Sequence, residues 1–126
     1  MRLTLRDDLP FVSIAVTHRG VTVEVADVLV DTGSASTVLS ADVAATLGIR
    51  PEPTDRLRSV RGVGGSEVVF ARRVDRLQLG SRCVDDFEIH VAGMDYGFAI
   101  QGILGMSFLI KTGAVLNLRD LTLDYP

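Results

Sequence analysis

The chain has 126 residues, of which 47% are hydrophobic and 23% charged, and its formal net charge is −3. This length fits one domain over residues 1–126, and a slightly acidic chain whose arginines form only short clusters argues against nucleic-acid binding. The one cysteine, Cys83, excludes an intrachain disulfide, and no metal-ligand spacing links it to His18 or His90, so we expect no metal and no cofactor.

The distribution of charges argues against a membrane protein. The N-terminal residues Arg2, Arg6, Asp7 and Asp8 interrupt the apolar run that a signal peptide needs. The longest uncharged stretch, residues 96–110, is shorter than the roughly 17 to 25 residues of a membrane-spanning helix. We therefore expect a cytoplasmic protein without a transmembrane segment.

The first third of the chain predicts a β-hairpin, a strand and a loop that carries an acid. Apolar or alternating segments at 9–17 and 21–25, joined by His18-Arg19-Gly20, predict the hairpin, which leads into an apolar strand at 26–30. The strand ends at Asp31-Thr32-Gly33-Ser34. Such a turn holds a carboxylate in place, as acid–base catalysis requires, although aspartate and glycine are also common in ordinary turns.

The middle of the chain predicts a short helix and a glycine-rich hairpin. Ser40 is a suitable N-cap, and Gly48 is the expected stop, so we predict a helix between them. Strands at 57–61 and 67–72 flank Gly62-Val63-Gly64-Gly65-Ser66, which is the best candidate in the chain for a mobile hairpin tip.

The last third predicts more strands and one further helix. Residues 77–79 and the alternating segment 87–91 flank a Gly80-Ser81 turn and predict another hairpin. The apolar block Gly102-Ile103-Leu104-Gly105 precedes one or two helical turns at 106–111, which Gly113 ends. A strand pair at 114–118 and 121–125 completes a mainly β fold.

Taken together, the segments at 28–34, 39–49, 62–65 and 102–109 resemble the retropepsin-like aspartyl proteases, especially bacterial members, and the resemblance spans residues 11–126. It implies a pepsin/retropepsin-like acid protease barrel with short helices that forms one protomer of a homodimer. One difference is Ser107, which stands where bacterial relatives often carry an aspartate.

The resemblance assigns a role to each motif. Asp31 would be catalytic, Thr32 would hydrogen-bond across the dimer axis, Gly33 would permit the tight turn, and Ser34 would lie beside the carboxylate. By hypothesis, the Ser34 hydroxyl donates to Asp31 and favours its ionised form. The flap that closes over substrate would comprise Arg61, Gly62, Val63, Gly64, Gly65 and Ser66. The support beneath the catalytic loop would comprise Ile103, Leu104 and Gly105.

The implied activity is that of an aspartic endopeptidase acting on an extended peptide or protein. Because Asp31-Thr32-Gly33 occurs once and the chemistry needs two carboxyls, a second copy of the chain would supply the other, and the high hydrophobic fraction fits burial between the copies. One alternative is a catalytically weak or inactive retropepsin-like module for dimerisation or peptide binding. Another is an unrelated monomeric barrel in which Asp31 is only a structural turn.

Overall fold

A computed structural model of the protein describes residues 1–55, 57–62, 65–94 and 99–126. The described residues form these elements in chain order: β1 (Thr4–Arg6), β2 (Leu9–His18), β3 (Val21–Val30), β4 (Val38–Ser40), α1 (Ala41–Thr46), β5 (Leu57–Gly62), β6 (Gly65–Leu79), β7 (Arg82–Ala92), β8 (Gly102–Leu104), α2 (Met106–Thr112), β9 (Val115–Asn117) and β10 (Thr122–Asp124).

Six of the strands close into a barrel, in the order β2-β3-β8-β4-β7-β6, because β6 pairs back onto β2. The β3–β8 and β4–β7 pairs are parallel, and the other pairs in the ring are antiparallel. Strand β1 pairs with β2 and β5 pairs with β6 outside the ring, while β9 and β10 form a separate two-stranded sheet. The architecture is the predicted mainly β barrel with two short helices.

Local signals locate the predicted turns and helices correctly. The β2–β3 turn lies at Arg19 and Gly20, both of which have positive φ. Ser40 caps α1 by accepting a hydrogen bond from Val43 N at 3.2 Å, and Gly48 follows at φ +77°. Gly113 ends α2 in the left-handed conformation at φ +66°.

Two strands differ from the prediction. β4, from Val38 to Ser40, was not predicted, because only three residues pair and their partners in β7 lie about fifty positions away. The segments predicted separately at 67–72 and 77–79 belong to one strand, β6. The intervening Arg73 and Arg76 break the apolar alternation because they face solvent, where each forms an ion pair with an aspartate of β7.

The core lies inside the barrel and beneath α2. The rings of Phe87 (β7) and Phe108 (α2) meet edge to face, with their centroids 5.9 Å apart. Ile14, Val28 and Leu104 are also fully buried. Strands β3 and β8, which lead into the Asp31 loop and the Gly105 turn, are therefore anchored from below by apolar packing.

Candidate active site

Asp31 lies at the point where β3 leaves the barrel, and backbone contacts fix its position. Asp31 N donates to Leu104 O at 3.0 Å, which extends the parallel β3–β8 pairing by one residue. The Asp31 carboxylate accepts a hydrogen bond from Gly33 N through Oδ1 at 2.9 Å. This contact orients the carboxylate within its own turn.

The residues after Asp31 leave one side of the loop open. Asp31 and Ser34 are half-buried, whereas Thr32 and Gly33 are exposed. A Cβ at position 33 would lie 3.2 Å from Asp31 Oδ1, which is a tight contact. Glycine therefore leaves the space beside the carboxylate open. The arrangement presents a held carboxylate beside an exposed, small turn.

The Ser34 hydroxyl does not make the contact that we expected from the sequence. Ser34 Oγ donates to the carbonyl oxygen of Ser36 at 2.8 Å. A hydroxyl has one proton to donate, so in this arrangement Ser34 braces the loop internally and gives no hydrogen bond to Asp31. The hypothesis that Ser34 favours the ionised form of Asp31 is therefore wrong for this geometry.

Gly105 packs directly against the loop. A Cβ at Gly105 would overlap the carbonyl oxygen of Ser36 and lie 2.7 Å from that of Ser34, so only glycine fits there. The first amides of α2 then bind the loop, since Met106 N donates to Ser34 O at 2.8 Å and Ser107 N to Ala35 O at 3.0 Å. The start of the helix thus satisfies the loop carbonyls, and the loop satisfies helix amides that would otherwise lack partners.

Thr37 is a supporting residue that the sequence analysis missed. Thr37 is only 1% exposed. Its Oγ1 accepts a hydrogen bond from Gly105 N at 3.2 Å and forms a second hydrogen bond with Ser107 Oγ at 3.0 Å. Thr37 O accepts from His90 N at 2.9 Å. The only hint of this role in the sequence was the polar Ser107 at the start of α2. Because Ser107 and Thr37 are seventy residues apart, the sequence did not indicate that they meet.

The predicted support residues all lie under the loop. Leu104 is fully buried and pairs with Val30, while Ile103 pairs with Leu29 on one side and Val38 on the other. β8 thus lies between the strands that enter and leave the Asp31 loop.

The predicted flap corresponds to the end of the β5–β6 hairpin. Arg61 pairs with Ser66 and Gly62 with Gly65, whereas Val63 and Gly64 lie outside the described residues. Closer to the barrel, Val69 packs with Val38 and Ile103 in a small apolar cluster. The base of the hairpin therefore packs on β4, which follows the Asp31 loop, and on β8, which supports the loop.

An apolar groove of about 400 Å³ lies beside the exposed Thr32. Leu109, Ile110 and Leu116 contribute to its lining. Ile110 is 70% exposed, and Leu118, just after β9, is 71% exposed. An apolar groove with a largely exposed Ile110 beside a candidate site is typical of a surface that another protein covers.

Across 1–55, 57–62, 65–94 and 99–126, no three histidine, cysteine or acidic side chains lie close enough together to hold a metal ion. Within those same ranges, no helix has the length and apolarity needed to cross a membrane.

Comparison with known proteins agrees with this geometry. Residues 14–108 match a family model described as aspartyl protease. Among solved structures, the fold is similar to that of a retropepsin-like aspartic protease from Rickettsia conorii, with a TM-score of 0.70 and 20% sequence identity over 97% of this chain and 86% of that one. No curated protein sequence matches the chain. The fold is therefore retropepsin-like.

Proposed function

The chain belongs to an aspartyl protease family, and from that premise we propose that it is an aspartic endopeptidase whose active site forms between two copies of the chain. The observation that carries the proposal is the loop at Asp31, where a half-buried carboxylate is oriented by Gly33 N and the backbone is locked onto Gly105. A preorganised carboxylate at an open surface is what acid–base catalysis requires of each half-site.

The second half-site comes from a symmetric partner. A twofold axis beside Thr32 would bring two Asp31 loops together and cover the apolar groove formed by α2 and β9. Thr32 is exposed and adjoins that groove, so its side chain is available for a contact across the axis. The support for this arrangement is that the Asp31-Thr32-Gly33 loop occurs once in each chain and that Ile110, at the groove, is largely exposed.

The chemistry follows from two carboxyls at close range. Two Asp31 side chains at roughly 3 Å cannot both be charged without strong repulsion, so the pair holds one proton. The charged carboxylate takes a proton from a water molecule, which attacks the peptide carbonyl carbon. The protonated carboxyl gives its proton to the carbonyl oxygen, and a tetrahedral diol forms. This sequence of proton transfers uses no cofactor.

The substrate in this proposal is an extended peptide or protein segment. The β5–β6 hairpin would act as a flap, with Arg61, Gly62, Gly65 and Ser66 near its end and Val63 and Gly64 at the tip assigned from sequence. Its backbone would bind the peptide in the manner of an added strand and exclude water during the reaction.

The same proposal includes a single domain over residues 1–126 and a cytoplasmic location. Both are predictions from the sequence. Limited proteolysis and cell fractionation, respectively, would test them.

Asp31→Asn tests the assignment of the chemistry. The amide is nearly the same size and can still accept a hydrogen bond from Gly33 N, so we expect the fold to persist while cleavage of a random peptide library falls by about a thousandfold or more. Circular dichroism and sedimentation would establish that the variant folds and assembles as the wild type does. Cleavage at the wild-type rate would assign the chemistry to another residue, and a wild type that binds peptides without cleaving them would favour the peptide-binding module.

A further inference from the structure

A partly buried ion pair lies at the base of the β5–β6 hairpin. Arg72 Nη2 lies 2.6 Å from Asp55 Oδ1 and donates to Arg50 O at 3.1 Å, while Arg72 Nε donates to the same Asp55 oxygen at 3.2 Å. Asp55 Oδ2 accepts from Glu52 N at 2.6 Å. We call Arg50, Glu52, Asp55 and Arg72 the base clamp.

Burial distinguishes the Arg72–Asp55 pair from the other ion pairs of β6. The Arg72 and Asp55 side chains are 17% and 8% exposed, whereas those of Arg76 and Asp85 are 50% and 68% exposed. Burial disfavours the charge on Asp55, but hydrogen bonds from Glu52 N and Arg72 hold the pKa of this carboxyl below its usual range. An exposed ion pair contributes little to stability. A largely buried guanidinium that also donates to a backbone carbonyl holds the segments it joins in a defined relative position.

The base clamp joins the segment before β5 to β6, just beyond the last pair of the hairpin. Leu57 pairs with Phe70, and the Arg72 guanidinium lies over the Phe70 ring, 5.6 Å from its centroid. The neighbouring Val69 packs against Val38 of β4, the strand that follows the Asp31 loop, and Ile103 of β8, which lies between β3 and β4. Arg72 is therefore linked to the support of the candidate active site through the Phe70 ring and, along the β6 backbone, through Val69.

We propose that Arg72 and Asp55 are positioning residues that fix the direction in which the β5–β6 hairpin leaves the barrel, and that they thereby set the affinity of the site for an extended peptide. This proposal rests on the proposed function, because it takes the hairpin as the element that covers the peptide. The two side chains act through the hairpin and its packing on β4 and β8. Their loss should therefore weaken peptide binding more than it slows the chemical step.

The test compares Arg72→Lys and Asp55→Asn with Arg76→Lys, a matched substitution in the exposed pair of the same strand. The probe is a fluorogenic extended peptide selected from a random library by its binding to the Asp31→Asn protein. Binding is measured by fluorescence anisotropy with each variant in the Asp31→Asn background, and KM and kcat are measured with Asp31 present. Thermal unfolding establishes that each variant is folded.

We expect Kd and KM to rise roughly fivefold for either base-clamp variant, with kcat changed less than about twofold and Arg76→Lys close to wild type. The double variant should bind no worse than the weaker single variant, because both substitutions break the same pair.

Two of the possible results separate this proposal from the proposed function, and a third contradicts both. If the wild type cleaves the peptide and folded base-clamp variants keep its Kd and KM, the positioning role is overturned while the protease assignment stands. If the base-clamp variants weaken binding but no wild-type cleavage occurs, the positioning role is supported and the endopeptidase activity is contradicted. If the library yields no peptide that binds, both proposals are overturned.

Discussion

At the scale of single residues, the candidate site depends on close backbone contacts that a larger side chain would disrupt. Gly105 is the clearest case, because the carbonyl oxygens of Ser34 and Ser36 occupy the space that a side chain would need. Steric exclusion there acts on the backbone of the Asp31 loop. A substitution should therefore displace the loop and α2 relative to each other.

Gly105→Ala should lower the free energy of unfolding by about 3 kcal/mol or more, and peptide cleavage should fall even in the fraction that folds. Urea denaturation measures the first effect and turnover per folded protein the second. Gly93→Ala is the matched control, since a Cβ at Gly93 would meet no atom of the described residues within 4 Å and the backbone there is not left-handed. Equal stability of the two variants would mean that the loop does not pack on Gly105 as described.

Ser34→Ala should lower the stability of the protein and leave the pH dependence of cleavage unchanged. The variant loses the hydrogen bond from Ser34 Oγ to Ser36 O, which is worth about 1 kcal/mol, whereas the contact of Asp31 with Gly33 N is untouched. The acidic limb of the kcat/KM profile should coincide with that of wild type. An upward shift of that limb would restore the hypothesis that Ser34 donates to Asp31.

At the scale of elements, the residue after β10 joins the terminal sheet to the barrel. Tyr125 OH donates to Leu79 O at the end of β6, with a distance of 2.9 Å, and Arg82 lies over the ring, 5.4 Å from its centroid. Burial raises the pKa of Tyr125 to about 12, although the charge of Arg82 acts in the opposite direction. The ordinary pKa of tyrosine is about 10.

The sign of this shift gives a prediction for alkaline pH. Because the folded state holds the phenol proton more tightly than the unfolded state, its contribution to stability is complete below about pH 10 and is lost as the pH rises towards 12. Tyr125→Phe should therefore be about 1 kcal/mol less stable than wild type at pH 7, and the difference should narrow above pH 10. Urea denaturation of both proteins at pH 7 and pH 11 measures it. A constant or widening gap would contradict the buried phenol.

Elements with local signals were predictable from sequence, and elements made by distant pairing were not. The capping residue Ser40 and the stop at Gly48 marked α1, and Gly113 marked the end of α2. The terminal strand pair was also predicted, although the observed strands β9 and β10 are shorter. By contrast, β4 exists only through its pairing with β7 and β8, which no short window of sequence encodes.

The same distinction applies within the candidate site. Asp31 stood out because an acid in a small-residue turn follows an apolar strand. The buried Thr37 did not, because its hydroxyl gains its meaning only when Gly105 N and Ser107 Oγ arrive from a distant part of the chain. The hydrogen bond from Ser34 Oγ to Ser36 O could not be predicted either, because the folded path of the loop determines which acceptor lies within reach of the hydroxyl.

At the scale of the whole molecule, the proposed function requires two copies of the chain, each of which contributes one Asp31 to a shared site. Each chain carries one such loop, and the apolar groove beside Thr32 offers a surface for the symmetric contact. In such a site the activity of one copy depends on the carboxyl of the other. Mixing active and inactive chains examines that dependence directly.

The decisive measurement is the peptidase activity of wild-type protein after subunit exchange with an equal amount of the Asp31→Asn variant. If one carboxyl from each copy is required, random pairing leaves about a quarter of the dimers active, so activity per wild-type chain should fall to about half. A larger excess of the variant should suppress it further, whereas an equal excess of an unrelated protein should not. Wild-type activity that stays constant at every ratio, with exchange verified by labelled subunits, would contradict the shared site.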